Sequence, residues 1–265
     1  MVLSASGKIT LAEFKDTDDY RTNIAKIGKT DLIIINSGDR IAGFNLYPTK
    51  IELIIHLPAA IDRYWQNLPG RLRNNLKRKY RRGETQIAVK LKFNIAAKDF
   101  LTWYERYRNE VKHKPFGRDV VKNPAGYFKN HQNLVLGNIL GKDDGKVIGG
   151  AIMALAENQL RYKLAWYSQE ARKHNAGYYL VLECIKWAIN HQLGEFSFGR
   201  DTNLYGGHLS LGLHQFKTAF APRPVVPANG VIKNIAVNPA VNRKQKPFLF
   251  YTLEGQDLMI RWHQP

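Results

Sequence analysis

The apolar residues of this chain change spacing repeatedly along the sequence, and this change of period is the feature that most limits its fold. They recur every three or four positions over residues 59–82, which predicts helix. Pro69 is expected to divide that stretch, so that a second helix starts at Gly70 or Arg71. Residues 86–93 then alternate between apolar and polar, which predicts a strand. Such switching favours a fold that mixes helices and strands.

The second half of the chain has a clearer order of elements. Two strands at 133–140 and 146–156 flank a glycine-containing turn, which predicts a β-hairpin. A strand, a helix, a short strand and another helix are predicted to follow, at 160–167, 177–191, 195–199 and 209–220. Elsewhere, strands are predicted at 31–35, 41–47, 51–57 and 248–253. Alternating helices and strands with antiparallel hairpins predict a mixed-sheet α/β or α+β fold.

The chain is strongly basic, and its cations are unevenly distributed. It carries 40 Lys and Arg against 22 Asp and Glu, a formal net charge of +18, which predicts attraction to polyanions. One window without any acid contains Arg71, Arg73, Lys77, Arg78, Lys79, Arg81 and Arg82. Arg71, Arg78 and Arg82 share one helix face, because they are spaced by seven and four residues. The cations form either a phosphate-binding surface or a solvated helix face without a ligand.

Several classes of protein are excluded by the composition and by missing motifs. Hydrophobic residues make up 44% of the chain, which supplies a sizeable core and excludes wholesale disorder. The single cysteine, Cys184, lies on the apolar face of the predicted helix 177–191, so we expect a core residue rather than a nucleophile. No zinc-type histidine spacing and no P-loop motif occur, and no metal is expected. Without a long apolar run or a signal-peptide core, we expect a cytoplasmic protein with no transmembrane segment.

Three short motifs, taken in order, resemble one enzyme family. Residues 68–79 have the pattern L-x-x-x-x-R-x-x-L-K-R-K. Residues 197–199 read SFG, with Ser197 where the family has Asp, and residues 216–220 read FKTAF, a match to F-K-x-x-F. Together with the predicted order of strands and helices, these motifs resemble the Fem-type branch of the GNAT acyltransferase superfamily over residues 51–224.

The resemblance implies a GNAT fold, in which a mixed, splayed sheet is flanked by helices and the acyl donor enters where two central strands part. Fem-type proteins usually fuse two such units. Because this chain is short for two full copies, we expect a reduced N-terminal GNAT-like unit with the basic helix over residues 1–95. It is expected to pack on a C-terminal catalytic unit over residues 96–265.

The resemblance also implies a donor-binding loop. GNAT proteins hold the pyrophosphate of coenzyme A with Q/R-x-x-G-x-G/A at a helix N-terminus, where backbone N–H groups are unpaired. Residues 172–177 occupy this place, so the candidate donor-binding residues are Arg172, Lys173, Asn175 and Gly177. Asn175 replaces the first glycine, and asparagine tolerates the left-handed conformation that the turn requires. The alternative is a loop that merely precedes a helix and carries two cations.

Candidate catalytic residues follow from the family and from position in the chain. In the family the lysine of F-K-x-x-F steadies the oxyanion or the donor phosphate, which implies that role for Lys217; the alternative is a surface lysine. Asp201, just past the strand 195–199, is the best-placed carboxylate to orient the acceptor amine or accept its proton, unless it only pairs with Arg200. Tyr205 and His208 in the next loop either relay a proton or are structural.

The expected activity is acyl transfer to an amine acceptor, a small molecule or a peptide, with formation of an amide. The donor is a substrate and no permanently bound cofactor is expected. Positive charge, the basic helix and the altered loop favour aminoacyl-tRNA, whereas the remaining loop match and the compact size favour acyl-CoA. A third possibility is a non-catalytic basic module on a GNAT-like scaffold that binds nucleic acid or an anionic membrane.

Overall fold

A computed structural model describes residues 2–6, 9–27, 30, 32–111, 123–131, 133–201, 211–237, 248–255 and 257–263. The chain divides into two compact units. The first comprises Met1–Leu53, Arg200–Gln215 and Pro224–Pro265, and the second comprises Ile54–Gly199 and Phe216–Arg223. The boundary expected at residue 95 would separate two GNAT-like units. The two compact units do not test that expectation, because they are defined by contacts and not by likeness of fold. It therefore stays a prediction.

Strands and helices alternate along the described residues, as the changing periodicity predicts. The strands are β1 (Val2–Ser6), β2 (Ile9–Phe14), β3 (Leu32–Ile35), β4 (Asn45–Pro48), β5 (Ile51–His56), β6 (Ile87–Lys92), β7 (Leu134–Gly141), β8 (Val147–Leu155), β9 (Gln159–Tyr167), β10 (Glu195–Asp201), β11 (Arg223–Val225), β12 (Ile232–Val237), β13 (Phe248–Glu254) and β14 (Asp257–His263). The helices are α1 (Thr17–Asn23), α2 (Ile61–Asn67), α3 (Gly70–Gln86), α4 (Ala97–Val111), α5 (Pro124–Asn130), α6 (Gln169–Lys173), α7 (Ala176–Asn190) and α8 (Leu211–Thr218). The predicted mixed α/β class is confirmed.

The first unit contains a sheet with the strand order β1-β2-β3-β12-β4-β13-β14. Neighbouring strands are antiparallel except β2 and β3, which are parallel. All four residues of β3 are buried, which explains its uninterrupted apolar run, since an interior strand is covered on both faces. Phe14 and Ile35 contribute to the core on which the sheet packs.

The strand predicted at 41–47 is shorter in the structure, where β4 begins at Asn45. The cause is Asn234, a fully buried residue of β12. Its side-chain oxygen accepts a hydrogen bond from the N–H of Ile41 (3.0 Å), and its amide nitrogen donates to the carbonyls of Ser37 and Asp39. These bonds stabilise the segment before β4 as a turn, because backbone groups satisfied by a side chain need no partner strand.

The other sheet has the order β11-β5-β10-β9-β8-β7-β6. Strands β6 to β9 form an antiparallel meander, and β9 and β10 are parallel. An aromatic cluster joins α4 to β9 through Phe100, Trp103, Tyr104 and Trp166. Helix α7 buries an apolar stripe that includes Leu180 and Cys184, as its periodicity predicts.

Helices α2 and α3 are separated where Pro69 was expected to break them. Pro69 precedes the first residue of α3, and Leu68 before it is extended. Leu68 and Leu76 are buried, in agreement with the predicted apolar stripe. Further along α3, Gly83 allows close contact with α7, because a Cβ atom at Gly83 would lie 2.6 Å from the Cβ of Tyr179. No larger residue fits there without movement of one helix.

Candidate active site

Strands β9 and β10 part in the middle of their sheet, as the family resemblance implies. Their parallel pairing comprises the residue pairs Gln159–Glu195, Leu160–Phe196 and Arg161–Ser197, and no further pair follows among the described residues of the two strands. Strand β9 bulges at this point, since Tyr162 and Leu164 pair with consecutive residues of β8 and Lys163 is the extra residue. On β10, Gly199 adopts a φ of +69°, a conformation that favours glycine. The two irregularities open a fork between the strands.

Aromatic side chains line the fork on the side that faces α7. The hydroxyls of Tyr162 and Tyr167 are 2.7 Å apart, and burial raises the pKa of both phenols. Both therefore stay protonated, which makes them neutral hydrogen-bonding groups. The ring of Phe198 lies 6.2 Å from that of Tyr162 and 6.3 Å from that of Phe216, centre to centre. The side chains beside the fork are thus apolar apart from the two phenol hydroxyls, which are hydrogen-bonded to each other.

The predicted donor-binding loop follows β9 and leads into α7. Asn175 adopts the left-handed conformation (φ 55°, ψ 33°), and α7 begins at the next residue. The turn therefore survives the replacement of the first glycine, as expected for asparagine. Gly177 lies in the first turn of α7, where a Cβ atom would be 3.2 Å from Tyr167 and 3.3 Å from Phe216. Arg172 and Lys173 are exposed beside a helix N-terminus, a combination that attracts anions.

The cationic face of α3 is exposed, and the opposite side of the helix contacts α7. Arg71, Arg78 and Arg82 are exposed, whereas Arg73 is half-buried. On the inner side, the hydroxyl of Tyr80 donates to Glu183 of α7 (2.6 Å).

The same inner side reaches the first turn of α7. Lys79 Nζ lies 3.6 Å from the ring centre of Tyr178, a cation–π contact. A Cβ atom at Gly83 would lie 3.5 Å from the carbonyl oxygen of His174. The cationic helix and the predicted donor-binding loop, which no sequence pattern connects, are therefore neighbours.

Lys217 lies near the end of α8 and is only 5% exposed. The alternative of a surface lysine is therefore wrong. Phe220, which follows α8, is fully buried and is a core residue, and its carbonyl accepts a hydrogen bond from the Tyr64 hydroxyl (3.2 Å). Phe216 is half-buried and packs edge-on against Tyr178. A lysine held out of water on a rigid helix is a strong local electrostatic group.

Asp201 ends β10 and is completely buried in the first unit. Its Oδ2 atom lies 2.8 Å from Nδ1 of His214 and accepts a hydrogen bond from the hydroxyl of Tyr251 at 2.9 Å. Burial, together with the negative charge of Asp201, raises the pKa of Tyr251, so that the phenol stays a donor. Tyr205 and His208 lie outside the described residues.

Sequence reasoning found only part of this group. It singled out Asp201 but not Tyr251. Tyr251 lies in an apolar strand and is 50 positions from Asp201 in the chain. No local sequence pattern indicates a contact over that separation.

Nucleophile and metal chemistry find no support in the described residues. Cys184 is buried within the apolar face of α7, and burial raises the pKa of its thiol. It is a core residue, as the sequence predicts, because a thiol without thiolate character is a poor nucleophile. Among the residues that the structure describes, no three His, Cys, Asp or Glu side chains are grouped to hold a metal ion.

The profile of the family described as "Acetyltransferase (GNAT) domain" matches residues 70–217. The matched segment is more than half of the chain, and the protein therefore belongs to the GNAT acetyltransferase-domain family. The predicted class of enzyme, an acyltransferase, is thereby confirmed. GNAT acyltransferases use their acyl donor as a substrate and need no resident cofactor.

The chain was also compared with solved structures, and it is similar to three that are described here. FemX is 13% identical, with 88% of this chain and 82% of that chain covered and a TM-score of 0.51. L-PGS from Bacillus licheniformis is 14% identical, with 89% of this chain and 79% of that chain covered and a TM-score of 0.47. A tandem GNAT protein from the clavulanic acid biosynthesis pathway is 10% identical, with 90% of this chain and 78% of that chain covered and a TM-score of 0.39. The likeness to FemX is one of fold. No curated protein sequence matches the chain. Within the described part, no helix is both long and apolar enough to cross a bilayer.

Proposed function

We propose that this protein transfers an aminoacyl group from aminoacyl-tRNA to an amine acceptor and forms an amide bond. The contact between α3 and the first turn of α7 carries the proposal. Lys79 and Gly83 bring α3 against Tyr178 and the carbonyl of His174. The exposed arginines lie on the other side of α3 and add positive charge to the unit that carries this helix N-terminus. This arrangement suits a donor with a long row of phosphates better than a donor with one pyrophosphate.

The reaction joins the acceptor nitrogen to the carbonyl carbon of the donor ester. The C–N bond forms, the C–O bond to the terminal ribose breaks, and one proton moves from the amine to the ribose oxygen. Negative charge develops on the carbonyl oxygen in the transition state. We assign Lys217 to stabilise that charge, because an ammonium group with 5% exposure acts in a medium less polar than water.

Arg172, Lys173, Asn175 and Gly177 are assigned to the donor, at the N-terminus of α7. Arg71, Arg73, Arg78 and Arg82 are assigned to the phosphates further along the tRNA. Asp201 is assigned to the acceptor amine, with Tyr205 and His208 as the proton relay. The carboxylate of Asp201 exposes no surface, so we assign it an effect through a neighbouring group rather than direct contact.

Acyl-CoA is the second candidate donor, and the conformation of Asn175 favours it. A left-handed residue at this position keeps the turn that directs helix N–H groups at a pyrophosphate. If coenzyme A binds here, Asn175→Gly keeps or tightens the affinity, because glycine adopts the same conformation without strain. Isothermal calorimetry with acetyl-CoA measures this, and the absence of heat with any acyl-CoA rejects the candidate.

The deciding experiment offers both donors to the purified protein with the same panel of amines and short peptides. Total tRNA charged with radiolabelled amino acids is one donor, and acetyl-CoA with a thiol-detecting dye is the other. We expect enzyme-dependent loss of label from tRNA and its appearance in an acid-stable amide. Lys217→Met serves as the control for catalysis. Release of thiol without tRNA deacylation would favour acyl-CoA. A tRNA donor also implies a cytoplasmic protein.

A further inference from the structure

Two tryptophans between α4 and the sheet that contains β8 and β9 have buried indole N–H groups without a hydrogen-bond partner. Trp103 of α4 is 3% exposed and Trp166 of β9 is 5% exposed. Among the described residues, neither Nε1 atom has a partner. Buried polar groups are nearly always hydrogen-bonded, so two exceptions in one aromatic cluster require an explanation. An indole N–H can only donate, and the group that satisfies it is therefore an acceptor.

The two indoles are neighbours beside Gly150 of β8. In the antiparallel pairing of β8 with β9, Gly150 is opposite Trp166, so their Cβ positions project from the same face of the sheet. A Cβ atom at Gly150 would lie 2.9 Å from Nε1 of Trp103. On its other side Trp103 stacks on Tyr107, with ring centres 5.6 Å apart. The indole nitrogen of Trp103 is therefore placed next to the strand position that Trp166 faces.

This pair of tryptophans lies on the opposite face of β9 from the predicted donor loop. Gly149 is opposite Tyr167, and a Cβ atom at Gly149 would lie 3.3 Å from the Tyr167 ring. Consecutive residues of a strand project to opposite faces, so Tyr167 faces α7 and Trp166 faces α4. Trp166 also lies beyond Arg161, where the pairing of β9 with β10 ends. Leu164 packs on the same cluster and is half-buried, so the cluster reaches the surface beside the fork.

We propose that Trp103 and Trp166 donate hydrogen bonds to a carbonyl or carboxylate oxygen of the acyl acceptor, which makes the acceptor an amino acid or the N-terminal amine of a peptide. The inference rests on the proposed function, since it names the acceptor of that reaction. Both sources carry such an oxygen on the carbon next to the one that bears the amine. The acceptor approaches the fork from the α4 face, and the donor is held on the α7 face. An alkyl polyamine has no oxygen and leaves both N–H groups unpaired.

The first test follows the indole N–H groups by nitrogen-15 NMR and needs no acyl donor. The chain has five tryptophans, and the spectra of Trp103→Phe and Trp166→Phe identify two of the indole signals by their loss. Pools of L-amino acids, of dipeptides and of alkyl amines without oxygen are added separately to the wild-type protein. We expect the signals of Trp103 and Trp166 to shift with amino acids or with dipeptides, and to stay in place with alkyl amines. The pool that shifts them distinguishes a free amino acid from a peptide.

The second test measures transfer to the acceptor that the NMR titration identifies. Trp103→Phe and Trp166→Phe keep an aromatic ring but lack the N–H group, and we expect each to raise the KM for the acceptor about tenfold. The KM for the donor should stay unchanged, because the donor is assigned to the other face of β9. Trp187→Phe is the matched control, since Trp187 is a half-buried residue of α7 that stacks on Phe93, and it should keep both wild-type constants.

Equal shifts with alkyl amines and with amino acids would overturn the proposal, because the oxygen would then not be the recognised group. If no pool moves the two signals, the proposal is also wrong, and an ordered water satisfies the N–H groups. Should Trp103→Phe not fold, the contact with the Tyr107 ring identifies the Trp103 signal in the wild-type spectrum. Failure of the proposed function looks different, because the protein then transfers nothing from either donor while the titration still shows which pool binds.

Discussion

Neutralising the exposed face of α3 tests whether the basic helix binds the phosphates of tRNA. The variant changes Arg71, Arg78 and Arg82 to glutamine. All three are exposed and lie on one helix face, and Arg78 makes an exposed contact with Asn75 (3.1 Å) that contributes little to stability. The buried contacts of α3 through Leu76 and Gly83 are untouched. The melting temperature should therefore barely move, and any loss of binding reports on the surface charge.

The expected magnitude follows from the release of counterions. Each phosphate contact contributes roughly 0.7 to 0.9 to the slope of log affinity against log salt, so three lost contacts lower the slope by about two to three units. At 0.1 M salt the affinity should fall by about 10²- to 10³-fold. At 0.5 M salt the same variant should lose only about fivefold, because the counterion term shrinks as the salt concentration approaches 1 M.

Fluorescence anisotropy with labelled tRNA between 0.1 and 0.5 M salt measures both quantities. The matched control removes the same charge elsewhere, by changing Lys129, Lys142 and Lys146 to glutamine. These three are also exposed, but they lie at the end of α5 and in the turn between β7 and β8. We expect the control to keep most of the wild-type slope. If the two variants lose equal slope, the effect is one of net charge. If neither changes binding, α3 presents only a solvated face.

Three further predictions concern single residues. Lys217→Met should lower the rate of transfer by about 10²-fold or more in single-turnover assays, because the variant removes the charge of the side chain. The circular dichroism spectrum should stay unchanged, because methionine keeps most of the volume of lysine. A wild-type rate would remove Lys217 from the mechanism. Gly83→Ala should lower the free energy of unfolding in urea by about 1–3 kcal/mol, since its Cβ would lie 2.6 Å from that of Tyr179. Gly70→Ala, where the nearest atom lies at 4.0 Å, is its neutral control. Cys184 should resist a thiol reagent in the native state and react after denaturation; rapid native labelling would contradict its burial.

Features that depend on neighbouring residues could be predicted from the sequence. The break at Pro69 follows from a missing N–H group, and the burial of Leu76 follows from helical spacing. The left-handed turn at Asn175 follows from the intrinsic tolerance of asparagine. Each of these three features has its physical cause within a few residues of the chain. The same holds for strands β6 to β10, and the sequence therefore predicts all five of them at nearly their observed positions.

Features that depend on distant residues could not be predicted. Strand β14 was missed because Met259 and Ile260 are exposed and leave no one-sided apolar pattern. The contact between Asp201 and Tyr251 joins residues far apart in the chain, and no spacing rule connects them. The neighbourhood of α3 and α7 likewise depends on Gly83, whose role becomes visible only beside Tyr179.

The salt dependence of binding separates the two candidate donors before any product is identified. Coenzyme A carries few phosphates, and a helix N-terminus such as that of α7 would hold such a ligand without the exposed face of α3. Transfer RNA carries a phosphate on every nucleotide, so its affinity should depend steeply on salt and on the arginines of α3. A steep salt dependence of affinity that the α3 variant reduces therefore indicates a tRNA donor. A shallow salt dependence that the variant leaves unchanged indicates coenzyme A. The cationic helix and the helix N-terminus are in contact within one unit, so one ligand with a row of phosphates can bind both, and this is the physical reason to test tRNA first.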